Sequence, residues 1–246
     1  MSYVSSVKRL VPNRVKAAAR ALLTSPAQIG GYYPAKETIA AAKATGLSVN
    51  EYVQTHIWKS PITRPTLLEK LVALGAIPLN APLVVEIGPG TGRHLEQILK
   101  EYHPARYQIY EFDDGWRKWL AATYPVQACH SDGMSLRDTA TNSANLIHAH
   151  GVFVYTPFLV TYRYFQEICR VAAPGAFVIF NIYTEKCLDD DTVANWLATP
   201  HRYLQFLSAH YVTQFFNNRG LALYDSFLLP RSPGPSEYFI FKRPLS

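Results

Sequence analysis

Between residues 84 and 93 the chain reads Val-Val-Glu-Ile-Gly-Pro-Gly-Thr-Gly-Arg. Gly88, Gly90 and Gly92 alternate, so the backbone can bend sharply and approach a ligand that side chains would exclude. A helix predicted to follow, from Gly92 to about Glu101, offers unpaired N–H groups to polar ligand atoms. Glu86, two residues before the first glycine, brings a carboxylate to the same place and suits a ligand carrying a cationic group. A dinucleotide-binding turn has the order G-x-G-x-x-G, yet Arg93 stands where its third glycine should fall. Pyrophosphate would also be repelled by Glu86. The chemistry this spacing supports is recognition of a positively charged, phosphate-free ligand.

A strand from Val84 to Ile87 must deliver that bend. Four further segments follow in order: Gln108–Asp113, Ala128–Met134, Asn145–Gly151, and the helix-to-turn stretch Phe165–Gly175 leading into a strand at Ala176–Tyr183. Glu111 falls nineteen residues after Gly92. Together these segments, over about residues 80 to 183, resemble the class I S-adenosylmethionine-dependent methyltransferases. The resemblance implies an α/β fold with a doubly wound, mostly parallel seven-stranded sheet, helices on both faces and one antiparallel edge strand. It implies S-adenosylmethionine as cofactor, held by Glu86, Gly88, Gly90, Gly92, Glu111, Phe112, Asp132 and Gly133. In that family an acid at the Glu111 position accepts hydrogen bonds from both ribose hydroxyls. Phe112 would pack on the adenine face, and Asp132 would meet the adenine amino group.

Open α/β sheets bind ligands beyond the carboxyl ends of their strands, at the switch in strand order. His148-Ala149-His150-Gly151 lies at such an end. Methyl transfer to a hydroxyl is helped by a base, and a histidine titrating near neutrality suits that work. His150 is the expected base; His148, on the same strand face, is the weaker candidate and reads more naturally as packed. Methyltransferases acting on nucleobase or amide nitrogens often show Asn/Asp-Pro-Pro-aromatic here. This chain departs from that pattern, and Asn145 replaces an acid common early in the strand. A hydroxyl on a sugar, glycan precursor or small metabolite becomes the leading acceptor. C- or N-methylation of a small molecule, or a non-catalytic module binding the same cofactor, are the alternatives.

The remaining segments divide into a basic N-terminal tail or helix (1–25), a helical cap (26–80) and a core (81–246) carrying a mostly helical insertion at about 185–218. The tail turns helical from about Pro12. Cap helices are predicted from Lys36 to Thr45, from Val49 to Trp58 with Ser48 as cap, and from Thr66 to Leu74. In the insertion Asp191 caps Thr192–Leu197, and a second helix runs from Pro200 to about Asn218. Leu221–Tyr224 and Tyr238–Phe241 are the last strands. Tyr32, Tyr33, Tyr52, His56 and Trp58 from the cap are candidate acceptor contacts, because aromatic faces with polar tips suit sugars and phenolic rings. So are His201, Tyr203, Phe206, His210 and Tyr211 from the insertion. Asp189-Asp190-Asp191 reads as a helix start rather than a metal site.

The net charge is +6, and Lys8, Arg9, Arg14, Lys16 and Arg20 carry five of those charges with no acid among residues 1–20. That segment reads either as a solvated tail or as a peripheral contact with an anionic membrane surface. No later basic stripe with interleaved aromatics tracks a phosphate backbone, so nucleic acid is not an expected partner. No apolar run is long enough to span a membrane. Cys129, Cys169 and Cys187 are too scattered for a disulfide framework or metal knuckle. Cytoplasmic residence with reduced thiols is expected, at most peripheral at the inner membrane face.

Overall fold

The computed structural model describes residues 33–58, 64–198, 204–230 and 234–245. The expected helix from Pro12, Tyr32, the side chain of Trp58, Pro200, His201 and Tyr203 lie outside the described residues. Seven strands form one sheet in the order β3-β2-β1-β4-β5-β7-β6. They are β1 (Val84–Ile87), β2 (Tyr107–Tyr110), β3 (Gln127–Ala128), β4 (Ala144–Ala149), β5 (Ala172–Ile182), β6 (Ala222–Leu229) and β7 (Ser236–Lys242). β1 pairs in parallel with both β2 and β4, so the strand order reverses there, directly below Gly88 and His150. The antiparallel strand is β7; it runs between β5 and the outermost strand β6.

Every residue of β1 and β2 is buried, as a parallel sheet covered on both faces requires. The alternation sorts their side chains into two cores. Val85, Ile87, Ile147, Val178 and Phe180 face helices α6 (Phe158–Val171) and α8 (Ala209–Asn217). Phe216, fully buried, stacks on Phe241 at 4.5 Å between ring centroids and also meets Phe165 and Phe180. The other face carries Val84, Ile109, Leu146 and Ile179 against α3 (Arg64–Ala73), α4 (Arg93–Tyr102) and α5 (Asp114–Thr123). Glu86 and His148 sit in this second alternation, so polar side chains enter a largely apolar layer.

The cap begins with α1 (Ala35–Thr45), stopped by Gly46 in the left-handed region. Ser48 opens α2 (Val49–Tyr52) through a capping box with Glu51. The helix continues to Trp58 with π-type bonding. Ala35, Ala42 and Val49 bury Trp116 of α5, and the Trp116 indole N–H donates to the Tyr33 carbonyl at 2.8 Å. Asn50, itself buried, donates to Glu96 of α4 at 2.6 Å. The cap is thus fastened to the two helices that flank the glycine-rich bend.

Several expected boundaries move, each for a local reason. The third strand is two residues long rather than Ala128–Met134. Asp132 instead accepts from the backbone N–H groups of Met134 and Ser135, and Asp138 from that of His130, which withdraws those groups from the ladder. β5 begins at Ala172, and Pro174-Gly175 becomes an irregularity within it, because the register against β4 jumps between Ala144 and Leu146. Asp189, not Asp191, caps α7 (Asp190–Ala198) by accepting from Thr192 N–H at 2.7 Å. The second insertion helix begins at Ala209, since the preceding residues are extended: Leu207 N–H bonds the Tyr183 carbonyl at 3.0 Å and Gln205 N–H that of Val154 at 2.8 Å.

The thiols are free. Burial pushes Cys129 up to about 11 and Cys169 up to about 12, and Cys187 is fully buried. Thiolate is the reactive form, so the folded protein at pH 8 should leave all three unmodified by a thiol-exchange reagent over minutes. Full reaction should appear on denaturation, and rapid native reaction would contradict this burial.

Candidate cofactor and acceptor site

The three glycines of the bend have different work to do. A Cβ on Gly88 would come within 2.7 Å of Val152, and one on Gly92 within 2.6 Å of Leu120 of α5. Those two allow the turn to pack against its neighbours. Gly90, at φ +55°, has nothing within 4 Å of the place a Cβ would take. It is the glycine that leaves room in front of the backbone, as close approach of a ligand requires.

Glu111, just past β2, closes on this bend. Gly90 N–H donates to its Oε2 at 2.9 Å and Asp113 N–H to its Oε1 at 2.8 Å. Burial raises its pKa, and those backbone donors offset part of the rise. Each oxygen keeps acceptor capacity for a ligand hydroxyl. Beside it Phe112 is 72 % exposed, an unusual position for a phenyl ring. Its edge stands 3.3 Å from where a Gly133 Cβ would lie. Gly133 thus lies against the exposed Phe112 ring, and Met134 after it is exposed as well. Asp132 immediately precedes Gly133. Slight burial pushes its carboxyl up, but the Ser135 hydroxyl and the Met134 and Ser135 backbone N–H groups outweigh that and hold it below its ordinary value. Sequence reasoning thus assigns Glu111, Phe112, Asp132, Gly133 and the glycines to regions that the fold brings together.

Glu86 departs from expectation. Its carboxyl does not stand open as an anion: it is 2 % exposed, bonded by the Tyr107 hydroxyl at 2.8 Å, with His148 Nδ1 3.8 Å away. Burial pushes its pKa up to about 8, with Tyr107 opposing and the Glu111 charge adding to the rise.

His148 is buried and shares the Tyr107 hydroxyl at 2.8 Å. His150 lies at the end of β4, with the His94 ring 4.1 Å and the His148 ring 5.0 Å away. The expectation that His150 titrates near neutrality fails. Burial, reinforced by the Arg93 charge, pushes it down to about 3. Burial also holds His148 well below its ordinary value, with the His150 interaction acting in the same direction. The Nδ1 atoms of both rings are buried without a hydrogen-bond partner.

Tyr107, His94 and Asn181 were missed at the sequence level. Asn181 accepts from Gly151 N–H at 2.7 Å and donates to Ser236 at 2.9 Å, fixing the turn after His150. Tyr107 could have been flagged only by knowing that its register opposite Val84 carries it toward Glu86. Among the proposed acceptor contacts, Tyr33 and Tyr52 border the cap cluster, and Tyr52 stacks on His56. Tyr211 packs against Phe158. His210 is exposed at the start of α8, where Glu185 accepts from Ala209 N–H. Around the carboxyl ends of β4 and β5, Phe158, Leu159, Leu188 and Phe206 expose apolar surface.

No protein-family model and no curated protein matches the sequence. Solved structures do. A S-adenosylmethionine-dependent methyltransferase of Methanosarcina mazei shares 13% identity, with 71% of this chain and 98% of that one covered at a TM-score of 0.57. The magnesium protoporphyrin IX methyltransferase of Synechocystis PCC 6803, solved with bound SAH, shares 13% identity over 72% of this chain and 80% of its own at 0.55. The chain has the class I methyltransferase fold. The [4+2]-cyclase SpnF has it too, at 14% identity, a TM-score of 0.58, and 73% and 81% coverage. The fold alone therefore leaves the reaction open. Among the described residues no helix is long and apolar enough to cross a membrane.

Proposed function

We propose that this chain binds S-adenosylmethionine and transfers its methyl group to a hydroxyl oxygen of a small metabolite or glycan precursor. The observation that carries the cofactor is the Glu111 carboxyl fastened to Gly90 N–H. A pyrophosphate would need that N–H as a donor and would meet an acid in its place, whereas a ribose can give its hydroxyl protons to the same carboxyl. The exposed Phe112 ring beside Gly133 takes the adenine face in this reading, and Asp132 accepts from the amino group. S-Adenosylmethionine supplies an activated methyl carbon. The protein's work is to hold the acceptor oxygen in line and exclude water.

Exposed Phe158, Leu159 and Phe206 favour an acceptor with an apolar or aromatic body over a bare sugar. His150, partly exposed at the end of β4, serves by orienting the acceptor hydroxyl. Its neutral ring does not change charge in the physiological range. Methyl transfer from labelled S-adenosylmethionine into a metabolite extract, with none into protein or nucleic acid, tests the function. Cofactor binding without transfer to any fraction would leave a non-catalytic binding module. In His150→Ala, kcat should fall on the order of 10²-fold through lost positioning, with cofactor affinity unchanged. The wild-type rate should show no inflection near pH 6.5. Unchanged turnover would remove His150 from the mechanism.

A further inference from the structure

His150 stands one residue past β4, where strand pairing no longer holds it. Its backbone is fixed by the next residue: Gly151 N–H donates to Asn181 Oδ1 at 2.7 Å, and Asn181 donates to Ser236 at 2.9 Å. The ring is held differently. The last torsion of a histidine side chain is broad, so packing neighbours must set the ring angle. Three rings surround it. His148 lies 5.0 Å away at 41° and Tyr238 of β7 5.8 Å away at 37°. His94 is the nearest of the three, with centroids 4.1 Å apart and planes at 47°. His148 and Tyr238 are buried within the sheet, and the Tyr107 hydroxyl fixes His148 at 2.8 Å. His94 comes from a helix instead. It is half-buried on the first turn of α4, two residues after Gly92, so its place follows that of the glycine-rich bend. The bend is set in turn by Gly90 N–H donating to Glu111 at 2.9 Å.

We propose that His94 is a positioning residue: its ring fixes the angle of the His150 imidazole and so ties the orientation of the acceptor hydroxyl to the bend that holds the cofactor. This rests on the methyl-transfer reading above. His94 acts by packing alone, and no proton or bond changes hands through it. In-line transfer needs the acceptor oxygen aligned with the methyl carbon and the sulfur, and a misplacement of about 1 Å can cost on the order of 10²-fold. An imidazole free to turn would direct the acceptor over a range of angles. His94, His148 and Tyr238 together narrow that range. Of these contacts, the one with His94 joins the β1–α4 unit, which carries the bend, to the end of β4. Its loss should leave α4 in place, because Leu95 and Ile98 are the residues that bury that helix.

Magnetic resonance of the whole protein with isotope-labelled histidine reads the contact directly, the His150 signals being assigned by their loss in His150→Ala. Overhauser contacts should join the His94 and His150 ring protons, and relaxation should show the His150 ring ordered. That order should fall in His94→Ala and return in His94→Phe, which keeps a ring. Methyl transfer from labelled S-adenosylmethionine into a metabolite extract should slow about tenfold in His94→Ala and recover most of its rate in His94→Phe. Affinity for S-adenosylhomocysteine should stay unchanged. In a His150→Ala background the His94→Ala change should alter the rate by less than about twofold, since its effect passes through the missing ring. A merely structural role would give the same fall in both backgrounds. That result, or a His150 ring equally ordered without His94, would overturn the proposal and leave the methyl-transfer reading intact. Wild-type protein that transfers label to no fraction would sink that reading and the part of His94 in it, even with the ring contact present.

Discussion

Glu111→Ala is expected to weaken S-adenosylhomocysteine binding by about 3–4 kcal/mol, or ~10²–10³-fold, measured by calorimetry. Two effects combine. The ribose hydroxyls lose a charged acceptor, and hydrogen bonds to charged groups are the stronger kind. The bend also loses the bond from Gly90 N–H that sets its position, together with the one from Asp113 N–H. Stability should change by only about 1–2 kcal/mol, because a carboxyl that is 8 % exposed offsets much of its bonding with desolvation. Glu111→Gln keeps one acceptor oxygen but turns an N–H donor toward a backbone N–H. It should fall between the two, near a tenfold loss. An affinity indifferent to both changes would remove the observation on which the cofactor assignment stands.

Alanine at Gly92 and at Gly90 should separate folding from binding. Both glycines have positive φ, so a side chain at either position is strained by about 1–2 kcal/mol. At Gly92 the new methyl would also meet Leu120 at 2.6 Å, inside the layer between α4 and α5. Overpacking of that kind adds about 1–3 kcal/mol, so Gly92→Ala should unfold earlier in a denaturant titration by the sum of the two. Gly90→Ala meets no protein atom within 4 Å and should lose only the strain term in stability. Its cost should fall on the ligand: affinity reduced ~10²-fold or more, because the methyl occupies the space a cofactor needs. Equal stability losses at the two positions, or normal cofactor binding by Gly90→Ala, would show that the open side of the bend lies elsewhere.

The parts of the fold that the sequence made legible are those governed by local backbone chemistry. Short, largely apolar runs specify buried parallel strands at β1 and β4. Gly46 and Ser48 mark a helix stop and start that the structure keeps, because each acts through its own φ or its own side chain within a few residues. Alternating glycines ahead of a helix mark the bend for the same reason. The boundaries that moved were decided by partners distant in sequence or by competition that pattern alone does not weigh. The third strand is cut short by side-chain acceptors at Asp132 and Asp138. The extended stretch before α8 is held straight by backbone bonding to Val154 and Tyr183, which no periodicity announces.

Charge state was the larger blind spot. From sequence, Glu86 is an anion and His150 a base near neutrality, since those are the ordinary properties of their side chains in water. Only the sheet register, which sets Glu86 beside His148 and carries Tyr107 up to it, removes water from all three. Desolvation acts through the whole surrounding volume, so it pushes the acid to about 8 and His150 to about 3 without any change in the residues themselves. Residue type and spacing determined that this chain would build an acid-lined, glycine-rich cradle at the mouth of a doubly wound sheet. The packed tertiary structure decided which of those acids and imidazoles are withdrawn from water.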